Sequence, residues 1–295
     1  MSPMTGRNWI VKSHALGNDY LVMDPSALSF ALTPDAIRRI CDRHLGAGSD
    51  GILALVPSVR GDFGLRIYNP DGSEAEKSGN GLRIFAKFLY DHGYVRRPSL
   101  TVDTPGGLAR IEFHLTDDRV DQMTVDVGRA TFHSTEIPVA GPPREVVDEM
   151  IDAGDQRLEI TAVSVGNPHC VVFVPDLALI NLHRLGPLLE THPLFPNRTN
   201  VQFAQVIARD RVKILIWERG AGETMASGTS ASAVAAAAVR EGATDRQVTI
   251  SAPGGDLRIV VGDDWSIRMT GPASEVYVGT LSPDLVAALT VTAGA

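Results

Sequence analysis

Cysteine is nearly missing. The 295-residue chain has two, Cys41 and Cys170, and neither sits in a CxxC pair. That argues against a disulfide framework and against a zinc site built on thiolates. The eight histidines fall into neither HExxH nor HxH spacing, so no metal is expected. Basic residues are also in deficit. Twenty-seven Lys and Arg face thirty-five Asp and Glu, for a net charge of −8, the reverse of what a nucleic-acid binder carries. No apolar run approaches the roughly 18 residues of a membrane-spanning helix. The longest small-apolar stretch, Ala231 to Val239, is too short and is interrupted by Ser232. The opening MSPMTGRNW carries no apolar signal-peptide segment, which makes the cytoplasm the expected location. Nucleotide-binding GxGxxG and GxxxxGK[ST] patterns are missing, and the surroundings of Ser78 and Ser227 do not fit the GxSxG of a serine hydrolase.

What remains is a chain long enough for about two domains of ordinary size. Short strands dominate. Trp9 to Val11 and Tyr20 to Met23 flank the turn HALGND. Thr33 to Cys41 reads as a helix with Thr33 as its cap and Pro34 in its first position. Gly64 to Tyr68 is a strand and Gly79 to Tyr90 an apolar helix. Strands follow at Leu100 to Asp103, Ala109 to Leu115 and Met123 to Val127, with PGG and TDD as turns. The order then recurs. Strands at Ile160 to Val165 and Val171 to Val174 flank GNPHC, and a helix is expected over Asn181 to Leu189. A hairpin runs from Val201 to Trp217 around Asp210, and Gly228 to Arg240 is an alanine-rich helix. Strands close the series at Gln247 to Ser251, Leu257 to Val261 and Trp265 to Thr270. Both central helices open on Ser-Gly, at Ser78-Gly79 and Ser227-Gly228. An internal duplication of about 130–150 residues per copy accounts for this.

A helix N-terminus offers unpaired N–H groups and a partial positive charge, and glycine lets a ligand approach the backbone. One Ser-Gly start is ordinary capping. Two in corresponding places suggest a pair of helix ends acting on one anion. Around them lie short polar motifs: HALGNDY with His14 and Asn18, NPDGSEAEKSGNG with Asn69 and Asn80, GNPHC with Asn167 and His169, FPNRTNV with Asn200, and WERGAGET with Glu218 and Arg219. Each alone reads as a turn, a structural histidine or a surface ion pair.

Taken in order, these motifs resemble the diaminopimelate epimerase family of racemases, which work without pyridoxal phosphate, from about Val11 to Val278. The resemblance implies an α+β fold of two pseudosymmetric β-roll halves, each around a central helix, with the site in the cleft between them. On this reading residues 1–129, joined by 276–295, form the N-terminal half and residues 130–275 the C-terminal half. It implies an isomerase of lysine biosynthesis with no cofactor. Its ligand is a small amino acid, with neither a nucleic acid nor a membrane as partner, and a homodimer is the association left open. Carried over by position, Gly79, Asn80, Gly228 and Thr229 would cradle the α-carboxylate. Asn18, Asn69, Asn167, Asn200 and Arg219 would take the distant carboxylate, and Glu218 the distant amino group.

The departure is at the chemistry. The family's two acid–base residues are cysteines, and both matching positions here are serine, Ser78 and Ser227. A serine hydroxyl is a far weaker acid than a thiol and needs a neighbouring base. Four readings stay open: an epimerase using serines assisted by His169, His14 or Glu218; a relative with a shifted isomerisation or elimination; a binding protein; and a form with both cysteines replaced to trap ligand. Ser230 weighs against the last, because the family has GTG where this chain has GTS.

Overall fold

The computed structural model describes residues 6–291. The first five and last four residues, which the sequence reading assigns to the N-terminal half, lie outside the described residues. Two compact units divide the chain. One is built from residues up to Val125 and from Pro272 onward, the other from Asp126 to Gly271.

The first unit runs β1 (Trp9–Ala15), β2 (Asn18–Met23), α1 (Pro34–Cys41), β3 (Ile52–Val56), β4 (Phe63–Tyr68), β5 (Glu74–Ala75), α2 (Gly79–Asp91), β6 (Ser99–Thr104), β7 (Gly107–Thr116) and β8 (Arg119–Arg129). β1 pairs antiparallel with β2, β2 parallel with β3, β3 antiparallel with β4, and β4 parallel with β6; β6, β7 and β8 form a meander. The free side of β1 receives an antiparallel strand from the far end of the chain, Ser274–Thr280. The second unit runs β9 (Glu149–Ala153), β10 (Gln156–Ser164), β11 (Pro168–Phe173), α3 (Leu182–Glu190), β12 (Asn200–Ala208), β13 (Arg211–Glu218), β14 (Gly222–Glu223), α4 (Gly228–Arg240), β15 (Gln247–Ala252), β16 (Gly255–Val261) and β17 (Ser266–Gly271). Its pairings repeat those of the first in the same order and sense, with β9 on β10 taking the place of Ser274–Thr280 on β1. Ser274–Thr280 is β18, and α5 (Pro283–Val291) follows it. Asn18 and Asn167, Asn69 and Glu218, Ser78 and Ser227 stand at one constant separation along the chain. The two units therefore match residue for residue from the first hairpin to the central helix.

Each central helix is wrapped by the strands of its own unit. α4 packs against β10, β11, β12, β13, β15, β16 and β17, which explains its composition: a helix enclosed on every side needs small apolar residues on every side. Ala231 and Ala233 to Ala238 are at most 1% exposed. α2 is enclosed as well, beyond the single apolar side that its periodicity suggests, and even Arg83 is fully buried. The outer helices cover the other face of the strands. α1 begins at its Thr33 cap, whose side chain accepts from Ala36 N at 3.2 Å, and packs Ile37, Ile40 and Cys41 against Leu21 and Ile52. α3 packs Leu182, Leu185 and Leu189 against Val201 and Phe203. Gly186 is required there, since a Cβ would lie 2.6 Å from the Trp217 ring.

The sequence reading omits β3, β5, β9, β14, β18 and α5. β3 reads Ile-Leu-Ala-Leu-Val and is apolar throughout, so it lacks the alternation that marks a half-buried strand. β5 and β14 are two-residue ladders formed only through their partners. The TDD turn is a tight hairpin, with Asp117 and Asp118 both left-handed at φ 50° and 59°.

α4 ends at Glu241, a partly buried carboxylate that accepts from Thr161 Oγ1 at 2.7 Å. Burial, reinforced by Asp148 and Glu159, raises its pKa from the ordinary value to about 7. Its contribution to stability is full below the unfolded value near 4.5 and is lost as pH rises through 7. Chemical denaturation should find Glu241→Gln more stable than the parent at pH 8, with the difference vanishing below about pH 4.

Candidate active site

The two Ser-Gly turns have the same local geometry. Ser78 caps α2 with φ −142° and ψ 120°, and Ser227 caps α4 with φ −141° and ψ 125°. Each hydroxyl accepts from the third residue on, Gly81 N at 3.0 Å and Ser230 N at 3.5 Å. The caps leave the N–H groups of Gly79, Gly228 and Thr229 without an intrahelical acceptor, at the positive end of each helix. Among the described residues, no carboxylate or imidazole is a hydrogen-bond partner of either hydroxyl; the remaining neighbour of Ser227 Oγ is Thr229 Oγ1 at 3.4 Å.

Arg83 lies one turn into α2, and the sequence reading gave it no role. It is wholly buried and reaches back toward the helix start, donating to Asn80 Oδ1 at 2.8 Å, Gly79 O at 3.3 Å and Pro272 O at 3.2 Å. Burial lowers its pKa only to about 10, so it remains a cation at neutral pH. A cation at a helix N-terminus opposes the macrodipole, and a bound anion relieves that repulsion. Asn80 Nδ2 in turn donates to Asn18 Oδ1 at 3.1 Å, and Asn18 Nδ2 to Asp50 Oδ2 at 3.0 Å. The resemblance assigns Asn18 and Asn80 to opposite ends of a ligand; the structure puts their side chains in contact. Asp50, given no role by the sequence reading, further accepts from Asp19 N and Arg43 Nη2. Asn69 Nδ2 donates to Ser73 Oγ at 3.0 Å inside its own turn.

In the second unit Asn200 ties two loops together. Its Nδ2 donates to Pro168 O at 2.9 Å, and its Oδ1 accepts from Arg219 N at 3.0 Å. Much of its amide is thus engaged within the protein, and its contribution is to hold the Arg219 turn. Buried Glu190, which sequence gave no reason to select, secures the same turn by accepting from Gly220 N at 2.8 Å and Trp217 Nε1 at 2.7 Å. Arg219 is exposed and donates to Asn197 O at 3.1 Å, while Glu218 accepts from Thr224 Oγ1 at 3.0 Å.

The auxiliary acid–base role suggested for His169 does not fit its surroundings. The ring has no solvent exposure, and burial lowers its pKa to about 3. Its Nε2 lies 2.9 Å from Asn167 Oδ1. A neutral, enclosed ring holds a neighbour in place and does not exchange protons with a ligand. His14 accepts from Gly17 N at 3.3 Å within its own hairpin. Cys41 and Cys170 are buried, and burial pushes both thiols up, so neither has the environment of a reactive thiol.

The diaminopimelate epimerase family model matches residues 10–133 and 161–276. The chain is 46% identical to diaminopimelate epimerase 2 of a Nostoc species, over 95% of this chain and 98% of the relative. Identity to the diaminopimelate epimerase of Pelotomaculum thermopropionicum is 45%, over 91% and 96% of the two chains. In fold it is similar to a hydroxyproline epimerase from Agrobacterium vitis, with TM-score 0.68 and 18% identity across 92% of this chain and 90% of that one.

The two caps differ in strength, because a 3.5 Å contact is near the limit of a hydrogen bond. Ser78→Ala should lower unfolding stability by about 1 kcal/mol. Ser227→Ala should cost clearly less, as read from denaturant midpoints.

Proposed function

Since the chain belongs to the diaminopimelate epimerase family, we propose that it moves the α-proton of a diamino dicarboxylate of the diaminopimelate class, with Ser78 and Ser227 in the acid–base positions. The observation that carries this is the matched pair of serine-capped helix ends, one in each unit, with open N–H groups and glycine beside the cap. Removing an α-proton leaves negative charge that spreads onto the α-carboxylate. The N–H groups at each helix end, Gly79 on α2 and Gly228 and Thr229 on α4, are suited to stabilise such charge, and on α2 Asn80 and the buried charge of Arg83 stand behind it. Epimerisation takes the proton from one face of the α-carbon and returns a proton to the opposite face, and each capping serine is assigned to one of these transfers. In the second unit Arg219 and the Asn167 amide suit a second carboxylate, with Asn200 holding the Arg219 turn, and Glu218 suits the distant ammonium group.

The serines set the rate. Each hydroxyl has backbone N–H or hydroxyl partners and no base, so neither is readily deprotonated. This favours a second reading, binding with little turnover, and the two separate by experiment. With meso-diaminopimelate in D₂O, α-deuteration should be slow in the natural chain. It should rise by about 10²-fold or more in Ser78→Cys/Ser227→Cys, since positioned acid–base groups contribute roughly 10²–10⁴ each. No exchange in either protein, with binding intact by calorimetry, would leave the chain a binder. Unchanged affinity in Arg219→Ala would overturn the assignment of the distal end.

A further inference from the structure

The second unit contains a buried polar group that the first lacks at the same place. Ser230 and Gln202 are both fully buried, and their side chains meet, Gln202 Nε2 to Ser230 Oγ, at 3.0 Å. Their counterparts in the first unit, by the constant chain separation, are Gly81 and Leu53. A Cβ added to Gly81 would come 3.0 Å from Leu53 Cδ2. The fold thus builds this junction from apolar atoms when nothing else is asked of it. Polar groups at such a depth destabilise unless all are paired.

Gln202 also touches the His169 ring, which occupies the same face of the neighbouring parallel strand. His169 Nδ1 and Gln202 Oε1 are buried with no hydrogen-bond partner among the described residues. A neutral imidazole has one donor and one acceptor. With Nε2–H donating to Asn167 Oδ1, Nδ1 is the acceptor and needs an N–H. Turning the Gln202 amide by half a rotation supplies it, since Nε2 then faces the ring and Oε1 receives the Ser230 hydroxyl. Every buried group is then paired, in one direction: Ser230 to Gln202, Gln202 to His169, His169 to Asn167. The far end of that chain is the part-exposed Asn167 amide, with its oxygen held inward.

We infer that Ser230 and Gln202 are positioning residues that, through His169, hold Asn167 with its amide N–H outward, the orientation a carboxylate requires. The carboxylate part of this inference rests on the dicarboxylate reading above. It also accounts for serine in GTS: the hydroxyl is the donor that sets the direction of the chain.

Long-range proton–nitrogen NMR correlations on ¹⁵N-labelled protein, assigned with His169→Gln, report the tautomer directly. The natural chain should show His169 only as the Nε2–H form. Ser230→Ala should show both tautomers. That variant should bind meso-diaminopimelate about tenfold more weakly, the scale of one hydrogen bond to a charged group, with lysine affinity unchanged because lysine lacks the second carboxylate. Gln202→Leu/Ser230→Gly, which copies the first unit, should fold and show the same selective loss. An Nδ1–H tautomer in the natural chain, or one unchanged in Ser230→Ala, overturns the directional chain. Equal losses for both ligands overturn the role at the carboxylate end. If neither ligand binds, the dicarboxylate reading and the role of Asn167 toward it fail together, while the tautomers still decide whether the directional chain exists.

Discussion

The first turn of an enclosed helix has to satisfy its own N–H groups or offer them to something else. Both rolls are organised around that constraint. Each carries a single helix packed among its own strands, and each helix starts where a serine satisfies one N–H and glycine keeps the backbone bare. Strand order, the outer helices and the polar turns all serve to hold that helix start at a fixed place. The Arg83 cation behind α2 and the small side chains of α4 are two ways of finishing the same design, one electrostatic and one steric.

The two units share the order and sense of their strand pairings and differ in what fixes their loops. In the first unit a carboxylate, Asp50, anchors the turn bearing Asn18. In the second a different carboxylate, Glu190, comes from the outer helix α3 and anchors the turn after Glu218. The junction beneath the helix start is Leu53 against Gly81 in one unit and Gln202 against Ser230 in the other. Such paired changes are what close packing demands: a larger or polar residue is accepted at one position only when its neighbour changes in size or hydrogen-bonding capacity.

Much of this was legible before the structure. Capping serines, the helix bounds at Gly79 and Gly228, the hairpins and the repeated order are all local properties, written in turn chemistry and periodicity. What escaped were elements lacking such a signal: the wholly apolar β3, the two-residue ladders, and β18, whose side chains are largely exposed. Among the site residues, Arg83, Asp50 and Glu190 were given no role, because a charged residue in an amphipathic pattern normally faces water. For His169 the sequence left a structural and an acid–base role side by side for the complementary reason, since a histidine in a polar motif gives no sign of its depth.

The sequence alone determined the two helix starts and the family, because each depends on residue identity at a fixed spacing. Only the tertiary structure decided which polar groups are buried, which amides are engaged within the protein, and that His169 holds a neighbour. Burial and hydrogen-bond partnership arise between segments distant in the chain, and no local pattern encodes them.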